Sequence, residues 1–142
     1  MANFLSPLQL EYIDGTKWRL IAPFEYHLGA PDGPDHVHLP VGFITDFASI
    51  PRMFWPVMPP TGLYGKAAVV HDWLYQEREV ERHVGHATLL RLVTRLEADD
   101  VLKEAMGVLG VRWWTIWTIY LGVRAGGWLT WNRYRANDPH IS

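Results

Sequence analysis

The feature that most constrains this fold is a change of sequence pattern at a proline-rich connector. Before it, residues 8–48 contain short runs of β-type residues that are separated by turn signals. The connector, residues 50–65, carries four prolines and two glycines, which interrupt regular secondary structure. After it, apolar residues recur at the spacing of helices. The pattern predicts a single α+β domain, with a small antiparallel N-terminal β-sheet followed by three or four helices.

Local patterns locate the individual elements. The predicted strands lie in residues 8–13, 17–28 and 36–45, and the dipeptide Asp14-Gly15 predicts a hairpin turn between the first two. Helices are predicted in residues 66–77, in residues 78–106 as one or two helices with alternating charges, and in residues 113–127. Two histidines of the charged stretch, His83 and His86, are expected on a solvated helix face and receive no role.

Composition excludes several classes of protein. The chain has 142 residues, a formal net charge of -2 and no long basic run, so binding to nucleic acid is not expected. It has no cysteine, which leaves His, Asp and Glu as the strong protein ligands for a metal ion. The N-terminus lacks the basic and apolar regions of a signal peptide, so export by that route is not expected.

The apolar segment 108–131 resembles a membrane span in length, but it carries Arg112, Arg124 and two adjacent glycines. Such charges are costly in a bilayer, so we expect a buried or interfacial helix and no transmembrane span. Five tryptophans crowd this helix and its exit: Trp113, Trp114, Trp117, Trp128 and Trp131. One buried stripe cannot hold them all, so we expect some to be exposed at an interface with a protein, a lipid layer or a glycan; a bulky aromatic core is the alternative.

The stretch AAVVHDWLYQ places two adjacent polar residues, His71 and Asp72, in a segment suited to a buried helix. On that helix His71 and Tyr75 share one stripe, and Asp72 lies on the next. Both polar groups can border one cavity only along the seam between the stripes. In the simplest, structural alternative, His71 is a core histidine that donates to a backbone carbonyl, and Asp72 caps a neighbouring element.

Two further segments carry clustered polar residues. The segment 40–56 begins as a strand and then supplies four polar side chains within eight residues: Thr45, Asp46, Ser49 and Arg52. Asp46 and Ser49 can form an Asx or Ser turn or an N-cap. Alternatively, these side chains belong to a functional site that collects residues from separate elements. In the segment TRLEADDVLKEAM, Arg95 and Asp99 stand four residues apart on one helical face. An ion pair of this kind at the surface contributes about 0.3–0.5 kcal/mol to stability and requires no function.

These segments in this order resemble a known family. The runs LPVGFITDFASIPRMFW, PPTGLYGKAAVVHDWLY, RLEADDVLKEAMGVLGV and IYLGVRAGG are similar to the phage and prophage family called domain of unknown function 1353. The resemblance covers roughly residues 16–128, leaving residues 1–15 as an N-terminal strand or arm and 129–142 as a C-terminal tail. The polar positions it implies are Thr45, Asp46, Ser49, Arg52, His71, Asp72, Tyr75, Arg95, Asp99 and Arg124.

The resemblance implies a phage or prophage protein, located in the host bacterial cytoplasm, in the virion, or in both. The residues themselves suggest a first candidate function, metal-assisted hydrolysis, in which carboxylates and an imidazole bind Zn, Mn, Fe or Mg and activate water. The set also resembles the H…HD…D pattern of His-Asp phosphohydrolases, although His27, His36 and His38 precede the pair in strand and loop segments and match its first histidine poorly. The second candidate is a virion, tail or assembly component with a structural polar centre and a tryptophan-rich docking helix.

The candidate residues fall into three groups. The candidate catalytic residues are Asp46, Ser49, His71, Asp72, Arg95 and Asp99, where Arg95 orients groups or binds an anion. The candidate metal ligands are His71, Asp72, Asp46 and Asp99. The candidate binding residues are Thr45, Arg52, Tyr75, Trp113, Trp114 and Trp117, with phage structural proteins or a second copy as partners and peripheral membrane contact left open.

Overall fold

A computed structural model describes residues 3–4, 6–15, 17–46, 53 and 64–136 of the chain. In these residues the order of elements is β1 (Leu10–Asp14), β2 (Lys17–Leu20), β3 (Phe24–His27), β4 (Asp35–Leu39), β5 (Ile44–Thr45), α1 (Gly65–Glu77), β6 (Glu79–Val84), β7 (Ala87–Leu92), α2 (Arg95–Val108) and α3 (Trp113–Arg135). The α+β class is confirmed, and the N-terminal strands β1 to β5 precede α1 as predicted, although β6 and β7 lie between α1 and α2. Within the described ranges no helix is long and apolar enough to cross a membrane.

The strands form two antiparallel sheets. The first has the order β1-β2-β5, and the second has the order β3-β4-β6-β7. The predicted hairpin at Asp14-Gly15 joins β1 and β2, with Tyr12 opposite Trp18. In the second sheet Phe24 lies opposite Leu39, and His27 lies opposite His36. Successive residues of a strand face opposite sides, so one side of this sheet carries the buried Phe24 and Tyr26 and the other carries polar residues.

The prediction of helix across residues 78–106 is wrong in its first half. Residues 79–84 and 87–92 form the hairpin β6–β7, and helix resumes only at Arg95. Gly85 has φ +61 in the turn, a conformation that favours glycine and ends any helix. Strand β4 pairs with β6, which supplies the backbone partners that an isolated charged segment lacks. His83 and His86 therefore lie on a strand and in a turn, not on a helix.

The core lies where α1 meets the second sheet and the other two helices. Helix α1 is buried at every position from Ala67 to Tyr75, as expected for a central helix with apolar residues on all sides. Helix α2 begins with a capping box, in which the Thr94 hydroxyl accepts from the Glu97 backbone N–H and the Glu97 carboxylate accepts from that of Thr94. Helix α3 continues to Arg135 and so includes the start of the predicted C-terminal tail.

Candidate functional site

The polar centre is built on α1 and converges on one carboxylate of α2. His71 and Asp99 are fully buried, and the His71 Nε2–H donates to Asp99 Oδ1 at 2.7 Å. The Tyr75 hydroxyl, one turn further along α1, donates to the same oxygen at 2.7 Å. The shared helical stripe predicted for His71 and Tyr75 therefore aims both donors at one acceptor.

Two arginines hold the second oxygen of Asp99. The Arg124 guanidinium, from α3, lies 2.8 Å from Asp99 Oδ2, and Arg95 of α2 lies 3.6 Å from it. Arg95 also donates to the backbone carbonyls of Val123 and Arg124, each at 3.2 Å. Three hydrogen-bond donors and the charge of a second arginine, Arg95, thus surround one buried carboxylate, and they come from three helices.

This arrangement keeps Asp99 ionised. Burial by itself raises the pKa of the Asp99 carboxyl, but hydrogen bonds from His71, Tyr75 and Arg124 and the charge of His71 outweigh it, so the pKa lies below its ordinary value. Burial and the Asp99 charge raise the pKa of the Tyr75 hydroxyl well above its usual range. At neutral pH the centre therefore holds one negative charge that positive and neutral donors surround.

Asp72 belongs to a second polar contact on the neighbouring stripe of α1. The Thr45 hydroxyl donates to Asp72 Oδ2 at 2.5 Å, and the Gln76 side chain donates to the same oxygen at 3.0 Å. Thr45 ends β5, so this contact joins the first sheet to α1. Burial, followed by the charges of Asp72 and Asp46, raises the pKa of Tyr134 near the end of α3. The polar groups of the chain therefore connect all three helices with the β-half.

The described structure brings together part of the predicted set. His71, Tyr75, Arg95, Asp99 and Arg124 meet at one centre, whereas Thr45 and Asp72 meet at another. Asp46 is half-buried beside Thr45, and Ser49 and Arg52 lie outside the described residues. The four predicted metal ligands do not form a group with ligand atoms at metal-binding separation; in the described part of the chain that geometry occurs for Glu25, His27 and His36. The sequence signal for this second group is an alternation on two neighbouring strands, Glu25-x-His27 on β3 and His36-x-His38 on β4. Alternate residues of a strand share one face, so this spacing puts the four side chains on the same side of the sheet.

Comparison with known families agrees with these segments. A family model described as "Protein of unknown function (DUF1353)" matches residues 18–123, well over half of the chain. The chain belongs to this family. No curated protein and no solved structure matches it. The matched residues include all the described polar residues that contact Asp99 or Asp72, with one exception. The exception is Arg124, which is the first residue after the match ends.

A separate feature of this DUF1353 protein is the outer face of α3, which we define as Trp114, Thr118, Leu121, Ala125 and Trp128 with the flanking Trp113, Trp117 and Leu129. The large members are exposed by 75% at Trp113, 51% at Trp114, 47% at Trp117, 60% at Leu121, 49% at Trp128 and 58% at Leu129. Residues 113–132 include one charged side chain, Arg124, and it turns inward to Asp99. The expected exposure of tryptophans is confirmed for this face, but Trp131 instead packs on Tyr75 with ring centroids 5.2 Å apart.

Proposed function

We propose that this chain is a non-enzymatic assembly component of a phage or prophage, and that it acts by docking the outer face of α3 against a second copy of itself. The observation that carries the proposal is this uncharged, aromatic helix face, most of which is open to solvent. Large exposed apolar patches on soluble domains mark interaction sites. The phage setting rests on the family resemblance, and placement in a virion or tail is part of the proposal.

The area of the face suits a protein interface. A tryptophan side chain buries up to about 250 Å². From their fractional exposures, the four exposed tryptophans offer roughly 550 Å² before the two leucines are counted. A standard interface takes about 800 Å² from each partner. The face can therefore supply most of one side of a stable dimer.

The spacing of residues along this face favours α3 of a second copy as its partner. Trp114, Thr118, Leu121, Ala125 and Trp128 alternate steps of four and three residues, which is the spacing of a helix-pairing seam. Trp114 and Trp128 stand seven residues before and after Leu121. A two-fold axis at Leu121 would set each Trp114 beside the Trp128 of an antiparallel second copy, with the small Thr118 and Ala125 between them. Such an interface repeats the same patch on both subunits, as two-fold symmetry requires.

The contacts of the polar centre support a structural role in this proposal. Asp99 receives donors from α1, α2 and α3, so it fixes the position of the helix that carries the docking face. Metal-assisted hydrolysis with His71, Asp72, Asp46 and Asp99 as ligands is less well supported, because a metal ion at Asp99 would have to displace its existing donors. Buried ionic groups that satisfy one another commonly specify a fold.

The test is the oligomeric state of the purified chain, measured by sedimentation over a range of concentrations. We expect a dimer, and we expect Trp114→Ser with Trp128→Ser to give a monomer with a nearly unchanged thermal transition. The matched control is Val84→Ser with Leu89→Ser, which removes apolar side chains that are each 55% exposed on the β6–β7 hairpin and should leave the dimer intact. A wild-type chain that stays monomeric overturns the proposal. Tryptophan-dependent binding of such a monomer to anionic lipid vesicles would assign the face to a membrane surface instead.

A further inference from the structure

The outward side of the second sheet carries a ladder of imidazole rings beside a carboxylate. Glu25 and His27 alternate along β3, and they lie directly opposite His38 and His36 of β4. The rings of His27 and His36 stack with centroids 3.6 Å apart and planes within 1° of parallel, and His83 of β6 packs on His36 at 4.1 Å. This group is separate from the polar centre on α1 and from the outer face of α3.

Backbone carbonyls fix which nitrogen of each ring carries a hydrogen. The Pro31 carbonyl oxygen lies 2.6 Å from His27 Nδ1, and the Gly33 carbonyl oxygen lies 2.8 Å from His36 Nε2. Because a carbonyl oxygen only accepts, both of these nitrogens are donors. In the neutral rings the lone pairs are therefore on His27 Nε2 and His36 Nδ1. Orientation of one ring nitrogen by a backbone acceptor is the usual support for a histidine that binds metal through the other.

The approach of Glu25 to His27 fits a shared cation better than a hydrogen bond. Glu25 Oε2 lies 3.4 Å from His27 Nε2, which is longer than the roughly 2.7–2.9 Å of a charge-assisted hydrogen bond. Bonds of about 2.0–2.2 Å to a tetrahedral zinc ion set its ligand atoms roughly 3.3–3.6 Å apart. In the neutral ring, two atoms with lone pairs thus face each other at the separation of two zinc ligands. The His38 Nδ1 atom lies 3.0 Å from the other Glu25 oxygen and holds the carboxylate in this direction.

We propose that Glu25, His27 and His36 form a binding site for a borderline divalent transition metal, with Zn²⁺ as the ion that fits its ligands. One ligand atom from each side chain lies within 4.8 Å of the others. A ring binds metal in its own plane, so the stacked rings of His27 and His36 tilt towards the ion when it binds. His36 can make this movement because it is half-buried and its other neighbour, His83, is on an exposed part of β6. Three protein ligands leave the fourth tetrahedral position to water.

The experiment measures Zn²⁺ affinity of the full chain by competition with a chromophoric chelator, and uses Co²⁺ absorption to report coordination. We expect one ion per chain, with Co²⁺ bands of a four-coordinate site. Glu25→Gln and His36→Asn should each weaken Zn²⁺ binding by about 100-fold or more, since loss of an outer-shell group alone costs about 10- to 100-fold. His86→Gln in the β6–β7 turn is the matched control and should keep wild-type affinity.

Several results would overturn the site. Absence of Zn²⁺ binding by the wild-type chain, or wild-type affinity in both Glu25→Gln and His36→Asn, would do so. These two variants alter half-buried residues, so they remain decisive if His27→Gln, at a buried position, fails to fold by circular dichroism. Equal loss of affinity in His86→Gln would assign the ion to scattered surface histidines. The docking experiment on α3 is independent of all these outcomes.

Discussion

His71 of α1 donates to Asp99 of α2 at 2.7 Å, and both side chains are completely excluded from solvent. The pair joins two helices that are separated in the chain by the β6–β7 hairpin. Arg124 of α3 binds the other oxygen of the same carboxylate. One residue therefore links the three helices, and its loss should affect the whole helical half.

Asp99→Asn should lower the free energy of unfolding by about 3 kcal/mol. The amide removes the negative charge that His71, Arg95 and Arg124 share, while the partial exposure of both arginines limits the cost. Urea unfolding measures the change. Asp100→Asn is the matched control: Asp100 is exposed and accepts from the Tyr120 hydroxyl, so we expect a change within about 0.5 kcal/mol. Equal stability of the two variants would contradict a central role for Asp99.

The Asp99 carboxylate should make the free energy of unfolding depend on pH in the acid range. Its pKa is lower in the folded than in the unfolded chain, so its contribution is complete above the ordinary aspartate pKa of about 3.9 and is lost as pH falls through the folded-state value. Urea unfolding at a series of acid pH values should show a steeper decline for the wild type than for Asp99→Asn. Parallel curves for the two proteins would argue against this assignment.

Gly127→Ala should destabilise the chain although alanine is the better helix former. A Cβ at Gly127 of α3 would overlap the Tyr75 hydroxyl oxygen and lie 3.3 Å from its ring carbon Cζ. We expect a loss of about 1–3 kcal/mol, as for overpacked cores. Gly107→Ala is the control, because its Cβ meets nothing within 4 Å, and it should stabilise α2 by about 0.5–1 kcal/mol.

The Tyr75→Phe variant tests whether the Tyr75 hydroxyl causes the loss of stability in Gly127→Ala. In a Tyr75→Phe background the overlapping hydroxyl is gone, so Gly127→Ala should cost clearly less than in the wild type. Thermal or urea unfolding of the four proteins completes a double-mutant cycle. Additive effects would mean that the helices accommodate the added methyl group without moving Tyr75.

Thr45→Val should weaken the junction between β5 and α1. The Thr45 hydroxyl donates to the buried Asp72 carboxylate, and valine keeps the branched shape but removes that donor. We expect a loss of about 1–3 kcal/mol in the free energy of unfolding. Thr88→Val, at an exposed position of β7, should change it by less than about 0.5 kcal/mol. If the two substitutions have the same effect, Thr45 does not stabilise Asp72.

Several features followed from the sequence because local chemistry determines them. The Asp14-Gly15 turn, the helices α1 and α3 and the strand-rich character of the chain before the connector were predicted from local patterns. The predicted strands 17–28 and 36–45, however, are each two strands that belong to different sheets. The excess of tryptophan on α3 also predicted exposure, since one helix buries only a limited face. The hairpin β6–β7 was missed because its alternating charges also suit a solvated helix. Pairing with β4, a partner more than forty residues earlier in the chain, decided between the two.

The polar centre and the histidine ladder were decided only by tertiary structure. Arg95 and Asp99 have the i,i+4 spacing of an ordinary surface ion pair, and nothing local reveals that α1 and α3 cover Asp99 and add three more donors. His27 and His36 likewise come together only because β3 and β4 pair in one register. Spacing along the chain determines which side chains share a face of one element. Burial and long-range pairing determine which faces meet, and these depend on the packing of the whole domain.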